Sequence, residues 1–259
     1  MDTNGLPGAA VTVVMPAYNC GKYLTTAVES VMQQTCGSWK LLIIDDCSTD
    51  NTRQLARQLA GRDERIAVLH NDVNRGVSRT RNRGVLEADS EWIAFLDSDD
   101  MWDARKLEKQ FGLAARTPEA KLLYTGSGFM KETGERMPFV LHVPERITGK
   151  QLLKQNLISC SSALAKRELL LKYPMPEKRM MHEDFTVWLR ILRDEPYAYG
   201  IDEPLLIYRR SEGSKSGNKI KAAKMNWNAY REVGINPIRA AYYMGWYMVR
   251  GLKKYANLK

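Results

Sequence analysis

The sequence predicts an α/β protein in which helices cover both faces of a mainly parallel central sheet, giving a Rossmann-like fold of three layers. Short apolar runs rich in β-branched residues alternate with segments of helical periodicity along residues 11–103. This alternation is typical of parallel strands joined by helical crossovers. Acidic or aromatic residues follow three of the apolar runs, and ligands of parallel sheets bind beyond the carboxyl ends of the strands.

The predicted elements follow from these patterns. We place strands at residues 11–15, 41–44, 66–70 and 92–96, and helices at 23–34, 52–60 and 78–87. Beyond residue 103 the pattern loosens, with helices at about 103–115, 149–156 and 185–192, strands at 122–127, 161–165 and 205–208, and a Gly/Pro-rich stretch up to residue 144. A loop at 211–217 precedes a helical C-terminal segment that is interrupted at Pro237.

The excess positive charge of the 259-residue chain is concentrated at its C-terminal end. The net charge is +9, and residues 205–259 hold 12 Lys and Arg against two Glu, whereas the rest holds 27 basic and 28 acidic residues. This distribution argues against general nucleic-acid binding and favours a local anionic partner. Basic residues and aromatics at helical spacing are typical of a helix lying on anionic lipid, and the alternative is a helix packed on the domain.

Several classes of protein are disfavoured. The late apolar run at 240–249 is half as long as the ~20 residues that a transmembrane helix needs. Residues 1–10 are polar and Gly/Pro-rich, unlike a secretory leader. The four cysteines and three histidines have neither metal-ligand nor disulfide spacing. We therefore expect a cytoplasmic protein with reduced thiols.

Three carboxylates, Asp97, Asp99 and Asp100, follow the fourth predicted strand. Acids gathered there repel one another unless a cation joins them, which points to a divalent metal carrying a phosphorylated ligand. The alternative is a solvated loop whose acids cap the next helix. After the second strand, we assign Asp46 to ligand binding and Asp50 to helix capping.

The loop after the first strand reads Pro16-Ala17-Tyr18-Asn19. Its aromatic ring offers a stacking face for a planar base, although a tyrosine in an ordinary surface loop is the alternative. Because the loops after the first, second and fourth strands converge on one rim of a parallel sheet, we predict the functional site there.

Four segments in this order resemble a known family: VVMPAYN at 13–19, IIDDCSTDNT at 43–52, NRGVSRTRNRG at 74–84 and FLDSDD at 95–100. They resemble the family 2 glycosyltransferases of GT-A fold, closely over residues 11–103. The likeness continues more loosely through HEDF at 182–185 to the loop RRSEGSKSGNK at 209–219. Within the family, the sequence is similar to bacterial enzymes of capsule, exopolysaccharide and teichuronic acid assembly.

The resemblance implies an inverting, Mn²⁺- or Mg²⁺-dependent transfer of a sugar from a nucleoside diphosphate sugar, UDP-linked, to a lipid-linked saccharide acceptor. Tyr18 would stack on the base, Asp46 would bond the base NH, and Asp97 would contact the ribose. Asp99 would hold the metal against the diphosphate. The implied donor-binding set is Pro16, Ala17, Tyr18, Asn19, Asp46, Arg81, Asp97, Ser98 and Asp99, with Asp97 and Asp99 at the metal.

Two further roles rest on the resemblance. Arg81 would order the donor site, although Thr80 replaces the family's alanine before it. Asp184 would be the general base, because the family's base is the second residue of a Glu-Asp pair before an aromatic. Capping of a helix N-terminus is the alternative for Asp184.

The late loop departs from the family pattern. Many relatives carry a histidine shortly after a Tyr-Arg pair, where it helps to hold the metal, but here Ser211 follows the second arginine. The metal would then rest on Asp99, the diphosphate and water. Arg209, Arg210 or Lys215 would contact the diphosphate directly.

The resemblance also suggests an organisation and a location. After a flexible N-terminus at 1–10, residues 11–103 would bind the nucleotide sugar, and 104–217 would form the acceptor-binding and catalytic half of the same domain. The tail at 218–259 would hold the enzyme peripherally on the anionic inner face of the bacterial plasma membrane. A sugar nucleotidyltransferase and a non-catalytic nucleotide-binding domain are the alternatives, and a dinucleotide oxidoreductase is disfavoured because no G-x-G-x-x-G follows the first strand.

Overall fold

The computed structural model describes residues 10–178, 180–210 and 219–256, with the side chains of 219 and 251–256 left out. The strands are β1 Val11–Ala17, β2 Trp39–Asp45, β3 Ile66–His70, β4 Trp92–Phe95, β5 Met101–Trp102, β6 Leu122–Lys131, β7 Arg136–Leu141, β8 Arg146–Ile147, β9 Leu164–Lys166 and β10 Ala198–Arg210. The helices are α1 Leu24–Met32, α2 Thr52–Ala60, α3 Val77–Glu87, α4 Lys106–Arg116, α5 Gly149–Leu152, α6 Arg167–Lys172, α7 Glu183–Asp194, α8 Lys219–Glu232 and α9 Pro237–Ala256, with a 3₁₀ helix at Cys160–Ser162.

These strands form one mixed sheet in the order β3-β2-β1-β4-β9-β6-β10-β5, with β7 paired to β6 and β8 paired to β10. The first four strands are parallel, as the sequence predicts. β9 runs antiparallel to both β4 and β6, and it therefore joins the parallel first half to the parallel pair β6 and β10.

Helices cover both faces of the sheet. The side chains of β1 alternate between two apolar clusters, because Val14 belongs to one while Val13 and Met15 belong to the other. The Val14 cluster includes residues of α3 and of α5 to α9, whereas the opposite cluster includes residues of α1, α2 and α4. The three-layer α/β prediction is confirmed.

The C-terminal helices pack against this core where α8 ends and α9 begins. Ala229, Tyr230, Val233 and Ala240 are buried and belong to the Val14 cluster. The Tyr230 hydroxyl donates a hydrogen bond of 2.8 Å to the carbonyl of Leu153. In the described part of the chain, neither these helices nor any other combine the length and apolar character that crossing a bilayer requires. The predicted boundaries at 103, 217 and 218 stay predictions, and residues 1–9 lie outside the described ranges.

Candidate active site

The carboxyl ends of β2, β1 and β4 lie side by side at one rim of the sheet. Ala17 at the end of β1 pairs with Asp45 at the end of β2, and Val14 pairs with Phe95 at the end of β4. The loops that follow carry the residues predicted to bind the donor. Three segments far apart in sequence therefore meet at this rim.

The loop after β1 is tied to the loop after β2 by Asn19. Its side-chain Oδ1 accepts a hydrogen bond of 2.8 Å from the Thr49 amide, and its own amide donates to Ser48 Oγ at 3.0 Å. Asn19 adopts a positive φ of 47°, which asparagine tolerates better than most residues. Tyr18, beside it, is 50% exposed, so its ring is open for stacking, whereas Pro16 and Ala17 are the last two residues of β1.

Asp46 organises the approach to α3. Its carboxylate is buried and accepts hydrogen bonds from Asn71 Nδ2 at 2.7 Å, from the Arg75 amide at 2.9 Å and from the Gly76 amide at 2.8 Å. The side chain thus fixes the loop at 71–76, and a contact between Asp46 and a base stays a prediction. Asp50 accepts from the amide of Thr52, the first residue of α2, at 3.0 Å, which agrees with its predicted capping role.

A buried arginine links the turn after β4 to the start of α7. We call residues 97–100, which contain three aspartates, the acidic turn. Arg81 on α3 forms ion pairs with Asp97, through Nη2, and with Glu183, whose Oε1 lies 3.0 Å from Nη1. Burial opposes the guanidinium charge, but the nearby carboxylates, Asp97 first, outweigh it and raise the pKa of Arg81 well above its ordinary value. The sequence alone does not predict this pair, which spans 102 positions.

The carboxyl groups of Asp97, Asp99 and Asp100 lie close enough in the acidic turn to affect one another's charge. Burial and the charge of Asp97 raise the pKa of Asp99 to about 6. Burial, followed by the charges of Asp99 and Asp97, raises the pKa of Asp100 well above its ordinary value. Asp100 Oδ1 accepts from the Arg209 amide at 2.9 Å, whereas its buried Oδ2 has no hydrogen-bond partner among the described residues. Ser98, between the first two acids, is partly buried.

Arg209 supports this turn from β10. Its Nε donates to the Asp99 carbonyl at 2.8 Å, its Nη1 donates to the Glu132 carbonyl at 3.2 Å, and its guanidinium lies 4.6 Å from the Tyr23 ring centroid. Arg209 is buried, and its guanidinium already contacts these protein groups. Its contact with a diphosphate stays a prediction. Arg210 is exposed, and Ser211 and Lys215 lie outside the described residues.

Asp184 is the second residue of α7 and is partly buried. Burial and the neighbouring charge of Glu183 raise the pKa of its carboxyl, while His182 and Arg81 act in the opposite direction. A carboxyl with a raised pKa at a helix start is suited to accept a proton. Arg81 connects this group, through Glu183, to the acidic turn.

The acidic turn offers ligands that suit a hard divalent cation. Among the described residues, no group of three or more His, Cys, Asp or Glu side chains is arranged to hold a metal. Burial, followed by the charge of Asp97, raises the pKa of Asp99, and carboxylate oxygens bind Mg²⁺ or Mn²⁺ when phosphate and water oxygens complete the coordination. Asp99 and Asp97 therefore fit the predicted metal site, with Asp97 shared with Arg81.

Several known proteins are similar to this chain in sequence. The family model for glycosyl transferase family 2 matches residues 12–173. TuaG of Bacillus subtilis (strain 168), a putative teichuronic acid biosynthesis glycosyltransferase, is 38% identical over 223 residues, covering 86% of this chain and 88% of TuaG. WfgD of Escherichia coli, named a UDP-Glc:alpha-D-GlcNAc-diphosphoundecaprenol beta-1,3-glucosyltransferase, is 35% identical over 248 residues, 95% of each chain.

Solved structures share the fold. S. aureus TarS in complex with UDP-GlcNAc has a TM-score of 0.72 at 19% identity, covering 90% of this chain and 69% of TarS. The mannosyltransferase PcManGT from Pyrobaculum calidifontis, in complex with GDP-Man and Mn²⁺, has a TM-score of 0.70 at 16% identity, covering 92% of this chain and 70% of PcManGT.

Together these matches define the protein as a glycosyltransferase of GT-A fold. The chain belongs to glycosyl transferase family 2. Because the chain belongs to this family, the two alternative functions, a sugar nucleotidyltransferase and a non-catalytic nucleotide-binding domain, are no longer needed to explain the sequence.

Proposed function

We propose that this chain is an inverting, metal-dependent glycosyltransferase that moves a sugar from a UDP-linked donor to a lipid-linked saccharide acceptor. The observation that carries the proposal is the buried Arg81, which joins the acidic turn to the Glu183-Asp184 pair. The activity in the name of WfgD and the UDP-GlcNAc bound to TarS support the donor and acceptor classes.

The donor side of the site would lie on the rim after β1 and β4. The exposed ring of Tyr18 would stack on the base, and the carboxylates of Asp97 and Asp99 would face the ribose and the diphosphate. Mn²⁺ or Mg²⁺ held by Asp99 and Asp97 would neutralise the charge that develops on the departing diphosphate. Arg81 keeps Asp97 oriented, because the two are ion-paired.

The acceptor side would lie at the start of α7. Asp184 would take the proton from the acceptor hydroxyl as its oxygen bonds to the anomeric carbon. The bond from that carbon to the diphosphate breaks on the opposite face, so the configuration inverts in one displacement. The raised pKa of Asp184 makes its carboxylate a stronger base than an ordinary aspartate.

The substitution Asp184→Asn tests this proposal. It keeps the size of the side chain but removes the proton acceptor, so we expect kcat to fall by about 10²–10⁴-fold. UDP release from UDP-sugars is measured with and without Mn²⁺, and UDP affinity is measured by calorimetry. We expect the affinity for UDP to remain unchanged. Turnover at the wild-type rate in this variant would refute the role of Asp184.

The C-terminal helices would place the enzyme on the anionic inner face of the plasma membrane. Ile238, Tyr242, Trp246 and Val249 of α9 are exposed and follow one another at spacings of four, four and three, so they form one stripe on the helix. We call these four residues the α9 stripe. Lys154 and Arg250 lie 5.2 and 5.5 Å from the Trp246 ring, which places positive charge beside it. An exposed apolar stripe flanked by cations suits an interface with anionic lipid.

A further inference from the structure

A cavity of about 440 Å³ lies next to the proposed catalytic base and is used by none of the steps above. One wall is the loop at 74–76 with the start of α3, another is formed by Glu177, Lys178, Met180, Met181 and Glu183, and α8 supplies a third. Glu183, which pairs with Arg81, lines the cavity. It is therefore contiguous with the proposed acceptor side of the active site.

The cavity wall carries more positive than negative charge. Arg75, Lys178 and Lys221 supply three cations, and Glu177 and Glu183 supply two acids. Both acids are already neutralised by arginines outside the wall, because Glu177 pairs with Arg79 and Glu183 pairs with Arg81.

The basic side chains differ in their partners. Lys178 pairs with Glu232 at 2.7 Å, whereas the exposed guanidinium of Arg75 has no acidic partner in the described part of the chain. In addition, Gly76 at the N-cap of α3 has no side chain to cap the first-turn amides, which favours a bound anion at that end.

The wall is also held in place. The amides of Arg75 and Gly76 both donate to the buried carboxylate of Asp46. On the opposite side, the carbonyl of Met180, a residue with a positive φ of 60°, accepts a hydrogen bond of 2.8 Å from Asn228 on α8. A site whose walls are fixed before binding costs less to occupy.

Apolar side chains accompany the cations. Met180, Met181 and Met225 line the same cavity, and methionine adapts its shape to irregular apolar groups. A diphosphate ester of a long-chain alcohol presents two anionic groups directly followed by an apolar chain.

We propose that this cavity binds the diphosphate group of the lipid-linked acceptor, with Arg75 and Lys221 contacting the phosphates and the methionines contacting the first carbons of the lipid. This inference rests on the proposed function, because it assigns a site to the acceptor class named there. It places the acceptor's diphosphate on the Glu183 side of Arg81 and the donor's diphosphate on the Asp97 side. The two anionic groups would thus occupy separate sites on opposite sides of one buried arginine.

Calorimetry on the full chain, with UDP and Mn²⁺ at saturation, tests the proposal with farnesyl diphosphate as the probe. We expect farnesyl diphosphate to bind, farnesol to bind far more weakly, and the double variant R75A/K221A to weaken farnesyl diphosphate binding by about tenfold or more. The charge-preserving variant R75K/K221R should retain most of the affinity. The matched control R116A/K150A removes two exposed basic residues from α4 and α5, and its affinity should equal that of the wild type.

Two results would overturn the proposal: equal farnesyl diphosphate affinity in R75A/K221A and R116A/K150A, or binding of the probe only when UDP is left out. Binding only without UDP would place the probe in the donor site. Unchanged UDP affinity in R75A/K221A shows that the variant is folded. These outcomes are distinguishable from failure of the proposed function, which UDP release and the Asp184→Asn variant measure without this probe.

Discussion

Arg81 is a buried cation that depends on two carboxylates from distant parts of the chain. Replacing it by alanine leaves Asp97 and Glu183 close together without their shared counter-charge. We expect Arg81→Ala to lower the free energy of unfolding by about 3–5 kcal/mol, because breaking a buried ion pair leaves uncompensated charge. Denaturant unfolding followed by circular dichroism measures the change.

The matched control is Arg79→Ala, two positions earlier on α3. Arg79 also pairs with a glutamate, Glu177, but both side chains are about half exposed. Exposed pairs contribute little, so this variant should lie within about 1 kcal/mol of the wild type. Equal losses of stability in the two variants would contradict the importance of burial at Arg81.

The pH dependence of turnover follows from Asp184. Its pKa is raised above the ordinary 3.8, first by burial and then by Glu183, while His182 and Arg81 oppose the rise and the buried Cys160 thiol lies nearby. The base works only when deprotonated, so kcat should fall as the pH decreases through the raised pKa and level off above it. A kcat profile measured at saturating donor and Mn²⁺ tests this. A flat profile down to pH 3.8 would show that no group with a raised pKa must be deprotonated.

For single residues, the sequence predicts where a functional side chain lies better than it predicts which groups that side chain contacts. Tyr18, Asp46 and Asp97 are found after the ends of their strands, because strand ends are readable from apolar runs. The partners of Asp46 come from a loop 25–30 residues away, and two partners of Arg209, Asp99 and Asp100, lie more than 100 residues away. Such pairings depend on tertiary packing, which local patterns do not encode.

The helix α3 approaches the sheet at Gly84. A Cβ at this position would lie 3.0 Å from Ile44 Cδ1 and closer still to Val14 Cγ1, so only glycine permits this contact. We expect Gly84→Ala to destabilise the protein by about 1–3 kcal/mol through overpacking, although alanine favours helices. Thermal unfolding measures the effect, and reduced donor affinity should accompany it because α3 carries Arg81.

Gly112→Ala on α4 is the control for that substitution. A methyl group added at this position would have Arg116 Nη1 as its nearest neighbour, at 3.5 Å, which is an ordinary contact. Alanine there should therefore leave stability unchanged or increase it by up to about 1 kcal/mol. The interpretation of Gly84 fails if both substitutions are equally tolerated.

Among the elements, the strands and helices of the first half agree with the prediction. The apolar runs of β1, β2 and β4 are continuous and largely buried on both faces. The second half is less regular. The strand expected at 161–165 is a 3₁₀ helix followed by the shorter β9, and the Gly/Pro-rich stretch contains β7, whose residues are mostly half exposed. β10 extends from Ala198 rather than from 205, because polar residues at its register shift between Ile201 and Leu206 interrupt the apolar pattern.

At the scale of the whole molecule, the face of α9 opposite the α9 stripe packs on the domain. Ala240 is buried, and Tyr243 stacks against Tyr230 of α8 with ring centroids 6.1 Å apart. The stripe therefore faces away from the core. The alternative, a helix packed on the domain, holds for one face of α9, whereas membrane contact by the α9 stripe stays a prediction.

Substitution of three stripe residues tests the membrane proposal. We expect I238S/Y242S/V249S to reduce flotation with vesicles of phosphatidylcholine and phosphatidylglycerol, because the apolar area available to lipid is removed. High salt should weaken the binding of the wild type by screening its cations. The control V73S/L86S/L171S removes three exposed apolar residues elsewhere and should float like the wild type. A wild-type protein that stays in the aqueous fraction with these vesicles would remove the proposal.

The three-residue strand β9 makes the two halves of the sheet interdependent during folding. Its neighbours β4 and β6 both lose a pairing partner if the chain is interrupted before residue 164. A fragment that stops at residue 103 would present the unpaired amide and carbonyl groups of β4, an apolar strand that could template pairing between separate copies. We therefore expect the exposed edge of β4 to be protected from aggregation only after the chain has been synthesised past β9.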